Sequence, residues 1–141
     1  MTTTATLSAL PNTLPSCANA RVALFAIRRM GANGLGDARA AHVFVTTFGE
    51  GFRRPLTLAR ALMADMAATS SMPIAIAPCC CARMTASEGA LLSVLARVEF
   101  APDAALLLMQ DLLGHRRVDG VLASAAALAA AFTDEGHPIS A

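Results

Sequence analysis

Glycine and proline cut this chain into six runs in which apolar residues recur every three or four positions, the rhythm of helices with one face toward a core. Ala23, Leu24, Ile27 and Met30 mark the first run and predict a helix over residues 20–30, capped by Ser16 or Asn19 and stopped at Gly31. Asp37 caps a second through Phe48, with Ala41, Phe44, Val45 and Phe48 as its stripe. Pro55 suits the first turn of a third, over 55–68, with Ala59, Leu62, Met63 and Met66 inward. Thr85-Ala86-Ser87-Glu88 reads as a capping box opening a fourth helix, which runs to about Val98 with Leu91, Leu92 and Leu95 inward. Pro102 and Asp103 open a fifth, whose apolar Leu106-Leu107-Leu108-Met109 run reads as central, and Gly114 stops it. Asp119 opens the sixth, with Val121, Ala125, Leu128 and Phe132 on one stripe.

Between Pro73 and Pro78, Ile74 and Ile76 alternate with Ala75 and Ala77. A lone strand there has no partner, so the stretch reads as an extended connector. The expectation is an all-α, single-domain bundle of about six short helices, with this Pro-bounded connector before a cysteine run. The domain spans residues 20–133, between tails at 1–19 and 134–141.

Thirty-two of the 141 residues are Ala, so Phe, Leu and Met must carry the core. Apolar faces left over would favour self-association, and a homodimer or an unidentified protein partner is expected. A hydrophobic content of 55% and a net charge of +1 exclude a disordered chain. The chargeless stretch 120–133 is short of the roughly 20 residues a membrane span needs, so no membrane association is expected. No basic residue precedes Arg21 and no sustained apolar stretch lies before it. That is not the layout of an export signal, and the expected location is the cytoplasm, with reduced thiols.

Pro78-Cys79-Cys80-Cys81-Ala82-Arg83 is the sharpest local feature. Three cysteines stand just before a capped helix, whose N-terminus and the Arg83 charge would both favour thiolate. In an extended stretch Cys79 and Cys81 point the same way and Cys80 the other. Cys79, Cys80 and Cys81 are therefore candidate ligands for a soft ion, Zn or Cu, or redox-active thiols tuned by Arg83. Tetrahedral zinc needs further ligands, for which His42, Cys17 and His115 are the soft candidates. Packing of some of these cysteines as small buried side chains is the plain alternative.

Arg28-Arg29 falls in the last turn of the first expected helix, where cations complement the dipole. Arg53-Arg54-Pro55 places two cations at a helix start, against the dipole, and would gain from an anion there. That anion is Glu50 folding back, or an external phosphate or carboxylate, which makes Arg53 and Arg54 a candidate anion site. Charge is uneven as well: seven Arg face three acids in residues 1–70, and four face seven in the rest. Nucleic acid is not expected. The chain has no Lys, Tyr or Trp, and its second helix offers only Arg39, His42, Thr46 and Thr47 as polar readers. No phosphate loop, zinc-protease motif, nucleophile elbow or carboxylate pair occurs, so no catalytic residue is assigned and enzymatic activity is not expected.

Arg28-Arg29-Met30-Gly31, Asp37-Ala38-Arg39-Ala40-Ala41-His42, Phe52-Arg53-Arg54-Pro55-Leu56 and Ala77-Pro78-Cys79-Cys80-Cys81 with Arg83-Met84-Thr85 together form one pattern. It resembles a small bacterial domain-of-unknown-function family rich in Ala and Arg, over about residues 20–132. The resemblance implies a bacterial, cytoplasmic protein and carries no activity or ligand with it. From the residues, the first expectation is a small, non-enzymatic helical interaction protein that self-associates. The alternative is a thiol-based metal-binding or redox-responsive protein using Cys79, Cys80 and Cys81. An anion or nucleic-acid binder working through Arg53 and Arg54 comes third.

Overall fold

Short polar caps start these helices, and buried Leu, Met and Phe hold them together. The computed structural model describes residues 10 and 12–140. Among these residues the chain forms β1 (Asn12–Thr13), α1 (Ala18–Asn33), α2 (Ala38–Phe48), a 3-10 turn (Gly49–Phe52), α3 (Arg53–Thr69), β2 (Arg83–Met84), α4 (Ala86–Arg97), α5 (Pro102–Leu113) and α6 (Asp119–Asp134). The all-α expectation holds. The count differs, because α2, the 3-10 turn and α3 follow one another without a loop, so the described residues make five separate helical stretches. Phe52 already has helical backbone angles, φ −70° and ψ −25°, where a loop was expected before Pro55. Pro55 is buried inside the first turn of α3, a position that tolerates its missing N–H.

Asp37 caps α2 by accepting from the Ala40 N–H at 3.0 Å. Thr85 and Glu88 close the expected capping box on α4. Gly114 ends α5 in the left-handed region at φ +63°, its N–H bonded to the Gln110 carbonyl. Gly31 is not a stop. Helix α1 runs on to Asn33 and ends at Gly34, φ +97°. A lone glycine inside a helix costs only about 1 kcal/mol relative to Ala, and Gly31 sits beside the Ile76 side chain from the connector.

Helix α3 packs most extensively on α6, α4 on α5, and α1 on α2. At the centre Phe44, Phe48 and Phe132 meet edge to face, with ring centroids 4.9–5.8 Å apart. The core cavity beside Phe44 and Phe132 has a volume of about 10 Å³, room for about one water and no ligand. The expected stripes of α1, α4 and α6 are buried. Val45 on α2 is instead exposed. The Leu106-to-Met109 run does not make α5 central: Met109 is buried but Leu107 is 67% exposed, because α5 packs chiefly on α4 along one face.

The connector between Pro73 and Pro78 carries no helix or strand. Beyond it β2 pairs antiparallel with β1, Asn12 opposite Met84 and Thr13 opposite Arg83. That pair was not expected, since two-residue strands show no alternation. The expected tail 1–19 lies in part outside the described residues. Its described end supplies β1 and the start of α1. At the other end the chain does not trail away. Ile139 is buried, and the Pro138 carbonyl accepts from Asn19 Nδ2 at 2.9 Å. No helix among the described residues is long and apolar enough to cross a membrane.

Candidate functional site

The cysteine run is a turn, not a strand. The Cys81 N–H bonds back to the Pro78 carbonyl at 3.0 Å. That bend reverses the expected pairing: Cys79 and Cys80, not Cys79 and Cys81, bring their sulfurs together, at 3.4 Å. Cys80 is exposed, while Cys79 and Cys81 are half-buried.

Two neighbouring arginines of α1 grip this turn from different sides. Arg28 is 2% exposed. Its Nη1 donates to the Cys81 carbonyl and its Nη2 to the Arg83 carbonyl, both at 2.9 Å. Its Nε and Nη2 also form a bidentate pair with Glu88, at 2.8 and 3.1 Å. Glu88 in turn accepts from the Thr85 and Ala77 N–H groups, and Thr85 Oγ1 donates to the Ala75 carbonyl. A satisfied buried node therefore joins α1, the connector, the cysteine turn and α4.

Arg29 acts on the sulfur. Its guanidinium is held bidentate by Asp37, at 3.0 and 3.1 Å, and lies close enough to the Cys79 thiol to lower its pKa. The hydrogen bond with Cys80 and then the Arg29 guanidinium hold the Cys79 pKa below the usual thiol range, with Arg39 adding its charge. Cys80 moves the other way, raised by its hydrogen bond with Cys79, by that neighbour's charge and by burial. The two shifts make Cys79 the more acidic thiol of the pair.

The helix bounds correct one expectation. Arg28 and Arg29 are not last-turn charges, because α1 extends past them to Asn33. Arg29 and Arg39 both lower Cys79, and Arg83 donates from Nε to the Leu10 carbonyl at 2.9 Å. The capping box of α4 takes up the Thr85 and Glu88 N–H groups. The Arg28-Arg29 pair was visible in the sequence. Asn33-Gly34, the helix stop that would have moved it off the helix end, was outweighed by Gly31.

The remaining candidates lie apart. Cys17 is the N-cap of α1, with its Sγ toward the Pro138 carbonyl. Burial raises its thiol, but hydrogen bonds with Ser140 and the Ala20 and Asn19 N–H groups outweigh that and leave its pKa lowered. His115 Nδ1 accepts from the Arg117 N–H at 2.9 Å. His42 is exposed, in a shallow groove with Phe25, Arg39 and Thr46. Among the described residues no group of three or more His, Cys, Asp or Glu is arranged to hold a metal ion. Arg54 pairs with Asp134 at 2.7 Å rather than with Glu50, and Arg53 lies over the Phe52 ring.

Fold and site together define a single-domain, all-α protein that presents an arginine-gripped dithiol turn. The chain belongs to DUF6628, a family of unknown function, whose sequence model matches residues 1–129. No curated protein and no solved structure matches it.

Proposed function

We propose that this is a thiol-based redox-responsive protein whose switch is the Cys79–Cys80 pair. The observation that carries the reading is the 3.4 Å approach of two sulfurs on an exposed turn. Thiolate is the attacking form in thiol–disulfide exchange. Cys79 attacks one sulfur of an incoming small disulfide. Its S–S bond breaks, a mixed disulfide forms on Cys79, and the released thiolate takes a proton from solvent. Cys80 then loses its proton to solvent and attacks the Cys79 sulfur, closing a Cys79–Cys80 disulfide and expelling the second thiolate, which is protonated. Starting from the Cys79 thiolate, the protein loses two electrons and the Cys80 proton, and the small disulfide gains two electrons and takes up two protons from solvent.

A bridge between neighbours is strained by construction. Adjacent Cα atoms are about 3.80 Å apart, below the roughly 4.4–6.8 Å of ordinary disulfides. Such a bond is reduced easily and serves as a reversible signal rather than a staple. Closing it must reshape the turn, and the Arg28 bond to the Cys81 carbonyl carries that change to the buried node. The reading suits a cytoplasmic bacterial protein kept reduced until disulfide stress. Two sulfurs fall short of the four ligands of structural zinc. A soft ion such as Cu(I) is the competing occupant of the same pair.

The test compares wild type with Cys80→Ser in 2-hydroxyethyl disulfide, read by intact mass. Wild type passes through the mixed disulfide to an adduct-free oxidised form, while Cys80→Ser stops at the adduct on Cys79. Persistent adducts on wild type, or modification of Cys17 ahead of the turn, would contradict the reading.

A second reading, a self-associating helical interaction protein, is favoured by Phe100 and Leu107, which are 76% and 67% exposed. Sedimentation of wild type beside Phe100→Ser with Leu107→Ser tests it. A dimer lost in the variant supports it, and a monomer at all concentrations contradicts it.

A further inference from the structure

The hollow around the cysteine turn is bordered by Arg21, Phe25 and the three cysteines, and Phe25 also borders the adjoining groove of Arg39, His42 and Thr46. One aromatic ring thus separates two shallow hollows, each with an exposed arginine. No carboxylate lines either of them. Arg29 is already matched by Asp37. Arg39 has no salt bridge among the described residues, and Arg21 uses its Nε on the Pro15 carbonyl without meeting an acid. Two cations with no acid partner among the described residues therefore border the two hollows, with the Phe25 ring between them.

We propose that the Cys79–Cys80 switch takes an anionic low-molecular-weight disulfide, with its carboxylates on Arg39 and Arg21 and its aliphatic part across Phe25. This rests on the redox-responsive reading and names the substrate class of that site. Each half of such a molecule carries negative charge beside its sulfur. Arginine forks bind carboxylates bidentately, and a field of one sign raises the local concentration of the opposite charge. The first exchange leaves one anionic half bonded to Cys79, still near Arg39. The second exchange, by Cys80, releases it. Cationic disulfides meet like charge on both sides and are turned away.

The test measures second-order rates of Cys79 modification on the reduced full chain at low salt, mapped by mass spectrometry over all four cysteines. The probes are oxidised glutathione (anionic), 2-hydroxyethyl disulfide (neutral) and cystamine (cationic). Each rate is divided by its rate on the urea-unfolded chain, which removes the probe's intrinsic reactivity. The anionic probe should exceed the neutral one by roughly tenfold, and cystamine should fall below both. Added salt should erase the ordering. Arg39→Gln and Arg21→Gln, both on exposed side chains, should each shrink the anionic preference, read as the ratio of the anionic to the neutral rate within the same variant. Equal normalised rates for all three probes, or a preference that survives both substitutions together, would overturn the inference while leaving the switch intact. If the neutral probe modifies Cys79 no faster in the folded chain than in the unfolded one, and closes no Cys79–Cys80 bond, the switch itself fails and this inference goes with it.

Discussion

Arg28 Nε lies 2.8 Å from Glu88 Oε2, and neither side chain is more than 2% exposed. Sixty residues separate the two in the chain, and between them they hold the connector, the cysteine turn and the start of α4. Burying one charge without its partner is expensive, so truncating either should cost about 3–5 kcal/mol. Urea unfolding of Arg28→Met and Glu88→Gln is expected to show losses of that order. The double variant should lose less than the two singles combined. Strict additivity would mean that the pair is not a coupled unit.

Asp37 gives the fold an acid-sensitive contact. Hydrogen bonds from Arg29 hold its carboxyl below the usual aspartate range, against a smaller opposing effect of burial. A carboxyl with a depressed folded pKa contributes stability that is complete above the unfolded value of about 3.9. That contribution fades as pH falls from there through the lower folded value. Asn keeps the helix cap but lacks the charge. Wild type should therefore be more stable than Asp37→Asn at neutral pH, and the two should converge in acid. Parallel urea midpoints from neutral pH to pH 3 would refute this.

Cys79 should be the earliest thiol of the turn to react as pH rises. Alkylation by iodoacetamide should rise with pH around a midpoint below the free-cysteine value of about 8.5, because only thiolate reacts. Arg29→Gln and Cys80→Ala should each move that midpoint upward. Cys80→Ser, which keeps a donor, should move it less than Cys80→Ala. An unshifted midpoint in Arg29→Gln would show that its guanidinium does not act on the sulfur.

Features that act within one turn were legible in the sequence. Asp37 as a cap, the Thr85–Glu88 box, Gly114 as a stop and the buried stripe of α6 are all local patterns. What was not legible depended on distant partners. Glu88 reads as a cap residue, yet its second duty is to Arg28. Arg29 reads as a helix-end charge until α1 is known to run on to Asn33. The alternation expected at Cys79 and Cys81 failed because the chain bends at Pro78, and a turn brings neighbours together where a strand sends them apart. Leu107 misled for a related reason: a four-residue apolar run does not say how many faces find a neighbour.

The central claim is that Cys79 and Cys80 form a reversible bridge. Its most direct measurement is proteolytic mapping of the protein after equilibration in thiol–disulfide buffers of graded poise. The account predicts a peptide lacking two hydrogens across Cys79 and Cys80, appearing at oxidising poise and vanishing on return to reducing buffer, with Cys17 and Cys81 remaining thiols. A bridge to Cys81 or Cys17 instead, or a turn that stays fully reduced while the buffer is strongly oxidising, would contradict it.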